Sequence, residues 1–360
     1  MTTDNSRLRA DREQKALGGI RSCPHHGCFL CGAPGITVYH RLRDRIFSAP
    51  GEWSLKECPA KDCGLVWLDP MPTEEDILVA YQDYYTHRGE GAPKPPSLRR
   101  RMSRFWDRCY LFRKYCSGAG VVPAWVWLLG LYRSLQPMKK AALDFNAMYL
   151  PVKPGGRLLE VGSGGGDNLR ALQDIGWVVE GVDFDPEAVE AARRKGLHVR
   201  QGLLEEQRYP DEFFDAVTMS HLVEHVHDPL HLLLESRRVL KPGGRIAVVT
   251  PNVASIGHRL FSAAWLPLDP PRHLHLFSPQ ALSSLADRAG FQKKRVFTTI
   301  REAGNVFIAS RHIKHSQRYV WGSVQPRLLK KAAKGMALME WAYLFFSPLA
   351  GEELVLVAEK

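Results

Sequence analysis

A chain of 360 residues with 45% hydrophobic content has length for two or three domains and enough apolar side chains for a full core. No apolar run reaches the ~18 residues of a bilayer span, and the polar N-terminus lacks a signal-peptide core, so a membrane-spanning or secreted chain is not expected; the expected compartment is the cytoplasm. The formal charge of +11 is concentrated: residues 97–140 hold ten Arg and Lys against Asp107 alone, which calls for an acidic partner or surface.

Residues 1–21 carry little to pack and are expected to be disordered. Residues 22–88 hold two cysteine pairs, Cys28/Cys31 and Cys58/Cys63, each followed by glycine. Seven cysteines, an odd number, argue for thiols and metal rather than disulfides. The spacing fits a four-thiolate structural zinc, with four ordinary buried thiols as the plainer reading and Cys23, His25 and His26 as nearby substitutes. A piece of ~60 residues needs such a staple. A strand through Leu65–Leu68, a proline stop and a Tyr-rich end (Tyr81, Tyr84, Tyr85) complete it.

Residues 89–139 are a linker (GEGAPKPP) followed by a basic, aromatic helical segment with eight aromatics from Phe105 to Tyr132. Three readings compete: a helical lid, contact with an anionic membrane surface, and, less favoured, nucleic acid.

From about 140 to 360 strands and helices alternate, which specifies an α/β sheet, mostly parallel and wound on both sides. Its first strand, Leu158–Val161, runs into Gly162-Ser163-Gly164-Gly165-Gly166. Glycines there accept positive φ and let a ligand approach the backbone. The helix from Asp167 directs free N–H groups at whatever sits above the loop. Glu160 lies two residues before the first glycine, and Asp183 ends the second strand, placed for ribose hydroxyls. A ligand with an amino-acid end and a ribose end suits both acids. Asp167 stands where a dinucleotide fingerprint needs its third glycine, which disfavours a nicotinamide enzyme.

These residues resemble motif I, [DE]-x-G-x-G-x-G, of the class I S-adenosylmethionine-dependent methyltransferases, and further segments follow in that family's order. The resemblance implies a seven-stranded, Rossmann-like sheet whose last strand, Glu353–Ala358, inserts antiparallel. It implies S-adenosylmethionine as cofactor, with Glu160, Gly162, Ser163, Gly164, Asp183, Phe184, Leu203, Leu204 and Ser220 around it. The cysteine module resembles the N-terminal zinc ribbon of some bacterial methyltransferases.

After the fourth strand comes His221-Leu222-Val223-Glu224-His225. Alone it matches the inverted zinc-protease pattern H-x-x-E-H, but that motif belongs on a metal-site helix, not after a strand of a nucleotide-binding sheet. It also resembles E-x-x-E-H of ubiquinone-pathway O-methyltransferases, where these side chains hold a divalent metal. His221 replaces the first glutamate, and an imidazole there disfavours magnesium. The spacing puts His221 and His225 on one helix face. Pocket lining, a general base and a metal site all remain open for the segment. The later Arg272-His273-Leu274 corresponds to a family R-H-L, implying Arg272 on an acidic substrate group and His273 or His221 as base; Asn252 is expected in the same mouth. Residues 301–350 read as a lid insertion, with Arg327, Lys330, Lys331 and Lys334 on one side of a helix and Leu328, Leu329, Met336, Met339 and Tyr343 on another.

The expected function is therefore methyl transfer, most simply to an oxygen of a small-molecule, glycan or lipid-linked acceptor, with peripheral membrane contact. An RNA methyltransferase and a cofactor-binding protein without turnover are the competing readings.

Overall fold

The computed structural model describes residues 15–17, 19–81, 98–116 and 124–360. The expectations for residues 1–14, for the 89–96 linker, and for Tyr84 and Tyr85 fall outside those residues.

The N-terminal part contains β1 (Lys15–Leu17), β2 (Ile20–Cys23), β3 (Ile36–Leu42), β4 (Trp53–Glu57), β5 (Val66–Leu68) and β6 (Met71–Pro72). Three helices follow: α1 (Leu98–Tyr115), α2 (Ala124–Ser134) and α3 (Pro137–Asn146). The remainder alternates β7 (Arg157–Val161), α4 (Asp167–Asp174), β8 (Val178–Asp183), α5 (Pro186–Arg194), β9 (Val199–Gln201), β10 (Phe214–Ser220), α6 (Pro229–Val239) and β11 (Leu240–Pro251). It closes with α7 (Ile256–Phe261), β12 (His275–Leu276), α8 (Pro279–Arg288), β13 (Gln292–Thr299), α9 (Ala303–Ser316), α10 (Arg327–Tyr343) and β14 (Glu353–Glu359).

Seven strands form the main sheet in the order β13-β14-β11-β10-β7-β8-β9. From β11 to β9 every pairing is parallel, while β14 runs antiparallel between β11 and β13. Successive side chains of a strand point to opposite faces, and the cores divide accordingly. Val217, Met219, Ile246 and Val248 join one cluster with Leu232 of α6 and Leu282 of α8. Ala216, Ala247 and Val249 join another, with Leu172 of α4 and Trp177. Both faces are therefore covered, which is why these strands read as nearly continuous apolar runs. Each fully buried Val, Leu or Ile here contributes roughly 1.5–3 kcal/mol.

Two boundaries differ from the sequence reading. The cysteine module does not stand apart: β12 pairs with β5, so its four-stranded sheet, β12-β5-β4-β3, is completed by residues 275–276. Helix α3 crosses the expected border at 140 and carries chain from the helical segment into the sheet domain. In α10 the inward residues are Ala333, Ala337 and Glu340, whereas Leu328 and Met339 are exposed. Small side chains let the helix approach α9 closely, so the large apolar ones face out.

Candidate functional site

The site grows from the end of β7. Gly162, Gly164 and Gly166 all have positive φ, at 71°, 50° and 79°. A Cβ on Gly166 would come within 2.5 Å of Leu197, so this glycine lets α4 close against α5. A Cβ on Gly164 would meet nothing within 4 Å, so the space above the loop is open. Asp183 locks the loop edge: one carboxylate oxygen accepts from Gly164 N at 2.7 Å and the other from Asp185 N at 3.0 Å. Burial pushes its pKa up against those two amides. Glu160 is buried beneath the loop, accepting from Asn168 Nδ2 at 2.5 Å. Burial drives its pKa up to about 8.

Three buried polar atoms around this loop have no partner among the described residues: Glu160 Oε2, Ser163 Oγ and Asn168 Oδ1. Buried polar atoms are normally satisfied, so a polar ligand is the natural complement. The donor set, an acid, a hydroxyl, an amide and a second acid at the next strand end, fits the amino-acid and ribose ends of S-adenosylmethionine. Phe184 is exposed at the rim and Leu203 is half-exposed, each able to flank a base. Leu204 is not: its side chain is packed into the core with Tyr209 and Phe214. Ser220 sits half-buried at the end of β10, opposite Val249.

The segment after β10 is a turn, not the expected helix, which starts only at Pro229. His221 takes φ 50°, a left-handed conformation that for such a residue costs of order 1–3 kcal/mol and clusters at functional sites. It is clamped by two carboxylates, with Nδ1 at 3.2 Å from Glu224 Oε1 and Nε2 at 2.8 Å from Glu353 Oε1. Burial opposes charge on the ring, but the two acids outweigh it and raise the pKa. Arg301 Nη2 also lies 3.0 Å from Nε2, so both ring nitrogens are engaged within the protein and neither is free to take a proton from an acceptor. Glu224 is completed by Thr250 Oγ1 at 2.9 Å, and Glu353 by Arg301 Nε at 2.9 Å.

His225 and His273 meet edge to face, ring centroids 4.6 Å apart. His273 Nδ1 lies 2.6 Å from the Pro267 carbonyl and must donate to it, which leaves the Nε2 lone pair free in the neutral ring. Burial and the neighbouring His273 push the His225 pKa down to about 4. Ligand atoms of Glu224, His225 and His273 lie within 4.8 Å of one another. This donor set of two imidazoles and one carboxylate suits zinc or iron better than magnesium.

Two expected substrate contacts are internal instead. Asn252 is fully buried: Nδ2 donates to the Leu349 and Gly351 carbonyls, and Oδ1 accepts from Ala254 N. Arg272 is fully buried and ion-paired to Asp44 at 2.8 Å and to Asp269 at 2.5 Å. Asp44 in turn accepts from the amides of Ile46, Phe47 and Ala49. Burial works against its charge, yet Arg272 and these amides hold its pKa below the ordinary carboxylate value. The arginine therefore fixes the 44–49 loop of the cysteine module, and its guanidinium lies 4.8 Å over the Phe47 ring. Breaking a buried pair strands a charge, at about 3–5 kcal/mol. Arg272→Ala is expected to lower the unfolding free energy by that order, read as a fall in the urea midpoint, and an unchanged midpoint would contradict the buried pair.

Phe47 and Ile46 form one wall of a cavity of about 510 Å³ whose other walls include His221, His225, His273, Arg301, Tyr319 and Trp321. Tyr81 joins this cavity to the cofactor cleft: its hydroxyl lies 2.9 Å from His225 Nδ1 and its ring packs against Phe184 at 6.0 Å. Asp44, Asp269, Arg301 and Glu353 were not singled out from the sequence, and Tyr81 was named only as part of a Tyr-rich end. The one signal was the pair Glu352-Glu353 heading an otherwise apolar strand.

The four module cysteines converge as expected. Their sulfurs all lie within 4.8 Å of one another, with Cys28–Cys63 at 3.6 Å and Cys31–Cys58 at 3.3 Å. A tetrahedral zinc with ~2.3 Å bonds spaces its sulfurs about 3.8 Å apart, so the residues fit the ion. Gly32 and Gly64, with φ 74° and 62°, turn the two knuckles.

The model of the methyltransferase-domain family matches residues 135–296. A ubiquinone biosynthesis O-methyltransferase of Cereibacter sphaeroides is 32% identical over 225 residues, covering 55% of this chain and 90% of that protein. One of Xylella fastidiosa is 35% identical over 133 residues, 34% of this chain and 52% of its own length; the chain thus spans about half of that relative. A solved SAM dependent methyltransferase from Archaeoglobus fulgidus aligns over 63% of this chain and 94% of its own at 18% identity, with a TM-score of 0.42. With a near-full-length relative, a matching domain and a glycine corner carrying both acids, this chain belongs to the S-adenosylmethionine-dependent methyltransferases.

Proposed function

We propose that the protein methylates an oxygen of a small-molecule, glycan or lipid-linked acceptor bound in the 510 Å³ cavity. The observation that carries this reading is Tyr81, which touches Phe184 beside Asp183 and His225 in the cavity, so cofactor cleft and acceptor space share a wall. In this reading Glu160, Ser163 and Asn168 hold the amino-acid end of S-adenosylmethionine and Asp183 the ribose. The cofactor, when bound, supplies an electrophilic methyl group on a sulfonium. The protein aligns the acceptor and excludes water.

An attacking hydroxyl must lose its proton. The free Nε2 of His273 is the base, with the Pro267 carbonyl fixing the tautomer. The His221–Glu353–Arg301 cluster then sets the shape and polarity of the cavity floor. The cysteine module holds a structural zinc and supplies the Phe47 wall.

The test is incubation of the protein with methyl-labelled S-adenosylmethionine and fractionated small-molecule, glycan and lipid extracts, followed by analysis of the labelled product. A product whose label sits on nitrogen or carbon sinks the oxygen assignment. Asp183→Ala is expected to weaken cofactor binding by ~10–100-fold in calorimetry, the value of one or two charge-assisted hydrogen bonds. Unchanged affinity would remove Asp183 from the ribose.

A further inference from the structure

Two helical elements expose large apolar side chains that a water-facing surface does not need. On the α1–α2 hairpin, Phe105 stacks on Trp125 with centroids 5.8 Å apart, and both are about half exposed. Leu128 and Leu135 extend this patch at 66% and 75% exposure. On and just beyond α10, Trp341 packs edge to face on Phe345, and Phe346 is 88% exposed. The end of α2 and the start of α3 (Ser134, Pro137, Lys140) line one groove of about 350 Å³ together with Trp341, Leu344 and Phe345. Helix α3 packs against α1, α2 and α10, which ties them into one face.

Cations accompany both patches. Arg101, Arg104 and Arg108 recur at three- and four-residue spacing on α1 and are exposed; Lys330, Lys331 and Lys334 are exposed on α10. No helix among the described residues is long and apolar enough to cross a bilayer. Apolar side chains with tryptophan, rimmed by Lys and Arg on helices too short or too polar to span, are the composition of elements lying in a lipid interface.

We propose that the α1–α2 hairpin and α10 together form a docking face for an anionic lipid bilayer surface, with the aromatic and leucine side chains entering the acyl boundary and the cations meeting lipid phosphates. Two other occupants fit less well. A second copy packed on the same face would set basic helices against themselves. A nucleic acid would satisfy the cations but leave Leu128, Leu135 and Leu328 without an apolar partner. The inference holds whichever acceptor is methylated, because it concerns where the enzyme sits.

Flotation of the full-length protein with vesicles of phosphatidylcholine, and of phosphatidylcholine mixed equally with phosphatidylglycerol, tests it. Binding to the mixed vesicles is expected, weakening as salt rises. Lys330→Glu with Lys331→Glu and Lys334→Glu is expected to reduce partitioning on the order of 100-fold, at ~1 kcal/mol per charge near such a surface. Trp125→Ser with Phe346→Ser is expected to reduce it without altering calorimetric affinity for S-adenosylmethionine, which also shows that the variant is folded. Protein that stays in solution with anionic vesicles, or variants that partition like the parent, overturn the proposal. So does a lipid-free dimer by light scattering that the tryptophan variant abolishes, or retention on RNA without vesicle binding.

Discussion

His273→Ala is expected to lower kcat by roughly 100- to 10,000-fold, the usual contribution of a positioned proton acceptor, while leaving affinity for S-adenosylmethionine unchanged. The argument is geometric. Of the pocket imidazoles, His221 has both nitrogens engaged, Nδ1 by Glu224 and Nε2 by Glu353 and Arg301. His225 is depressed to about 4, a weak base, and its Nδ1 faces both Tyr81 and the Arg272 carbonyl. His273 has Nδ1 committed to a carbonyl at 2.6 Å and Nε2 beyond hydrogen-bond reach of its nearest acid, Asp269 Oδ2 at 4.0 Å, within the cavity wall. His221→Asn should behave differently. Its raised pKa marks a protonated form stabilised by the fold; that stability is complete below the unfolded value near 6.5 and is lost as pH rises through the raised pKa. The variant should therefore lower the melting temperature at pH 6 by more than at high pH. A His273→Ala enzyme with the parent's kcat would transfer the base role elsewhere.

How far the sequence revealed this site depends on the range of each interaction. The glycine corner was legible because its requirements are local: the positive φ of Gly162, Gly164 and Gly166 and the acid at a strand end all lie within a few residues. The four cysteines were legible because metal geometry constrains spacing. Arg272 was misread because nothing near it in sequence says that Asp44, 228 residues earlier, arrives to neutralise it. Asn252 failed for the same reason, its partners lying at Leu349 and Gly351. In α10 the period separated a cationic from an apolar side but did not name the side that packs inward. Periodicity identifies two sides, and only the neighbour decides whether small Ala333 and Ala337 or large Leu328 and Met339 turn inward. The helix expected over His221–His225 gave way to a turn because His221 must leave the strand at positive φ to reach Glu353.

Removing the zinc proposed for the cysteine module is expected to abolish acceptor binding before it abolishes cofactor binding. A structural zinc contributes on the order of 10 kcal/mol to a small module, more than the remaining core of β3–β5 can replace. The four thiols close the knuckles that set β5, and β5 pairs with β12 at His275–Trp67 and Leu276–Val66. Two residues upstream of β12 stands His273, and the Asp44 loop that carries Phe47 into the cavity rests on Arg272. Loss of the ion should therefore loosen the Phe47 wall and the base together, while the glycine loop, on β7 and α4, keeps its own supports. Metal analysis of the purified protein should find at least one zinc per chain. Cys58→Ser is expected to lose most of that zinc, raise KM for the acceptor at least ~10-fold through loss of a buried aromatic contact, and retain S-adenosylmethionine affinity. Phe47→Ala, which leaves the knuckles intact, should reproduce the KM change without losing zinc. If Cys58→Ser keeps acceptor KM while zinc is gone, the module is a separate appendage and Phe47 is held by the sheet domain alone.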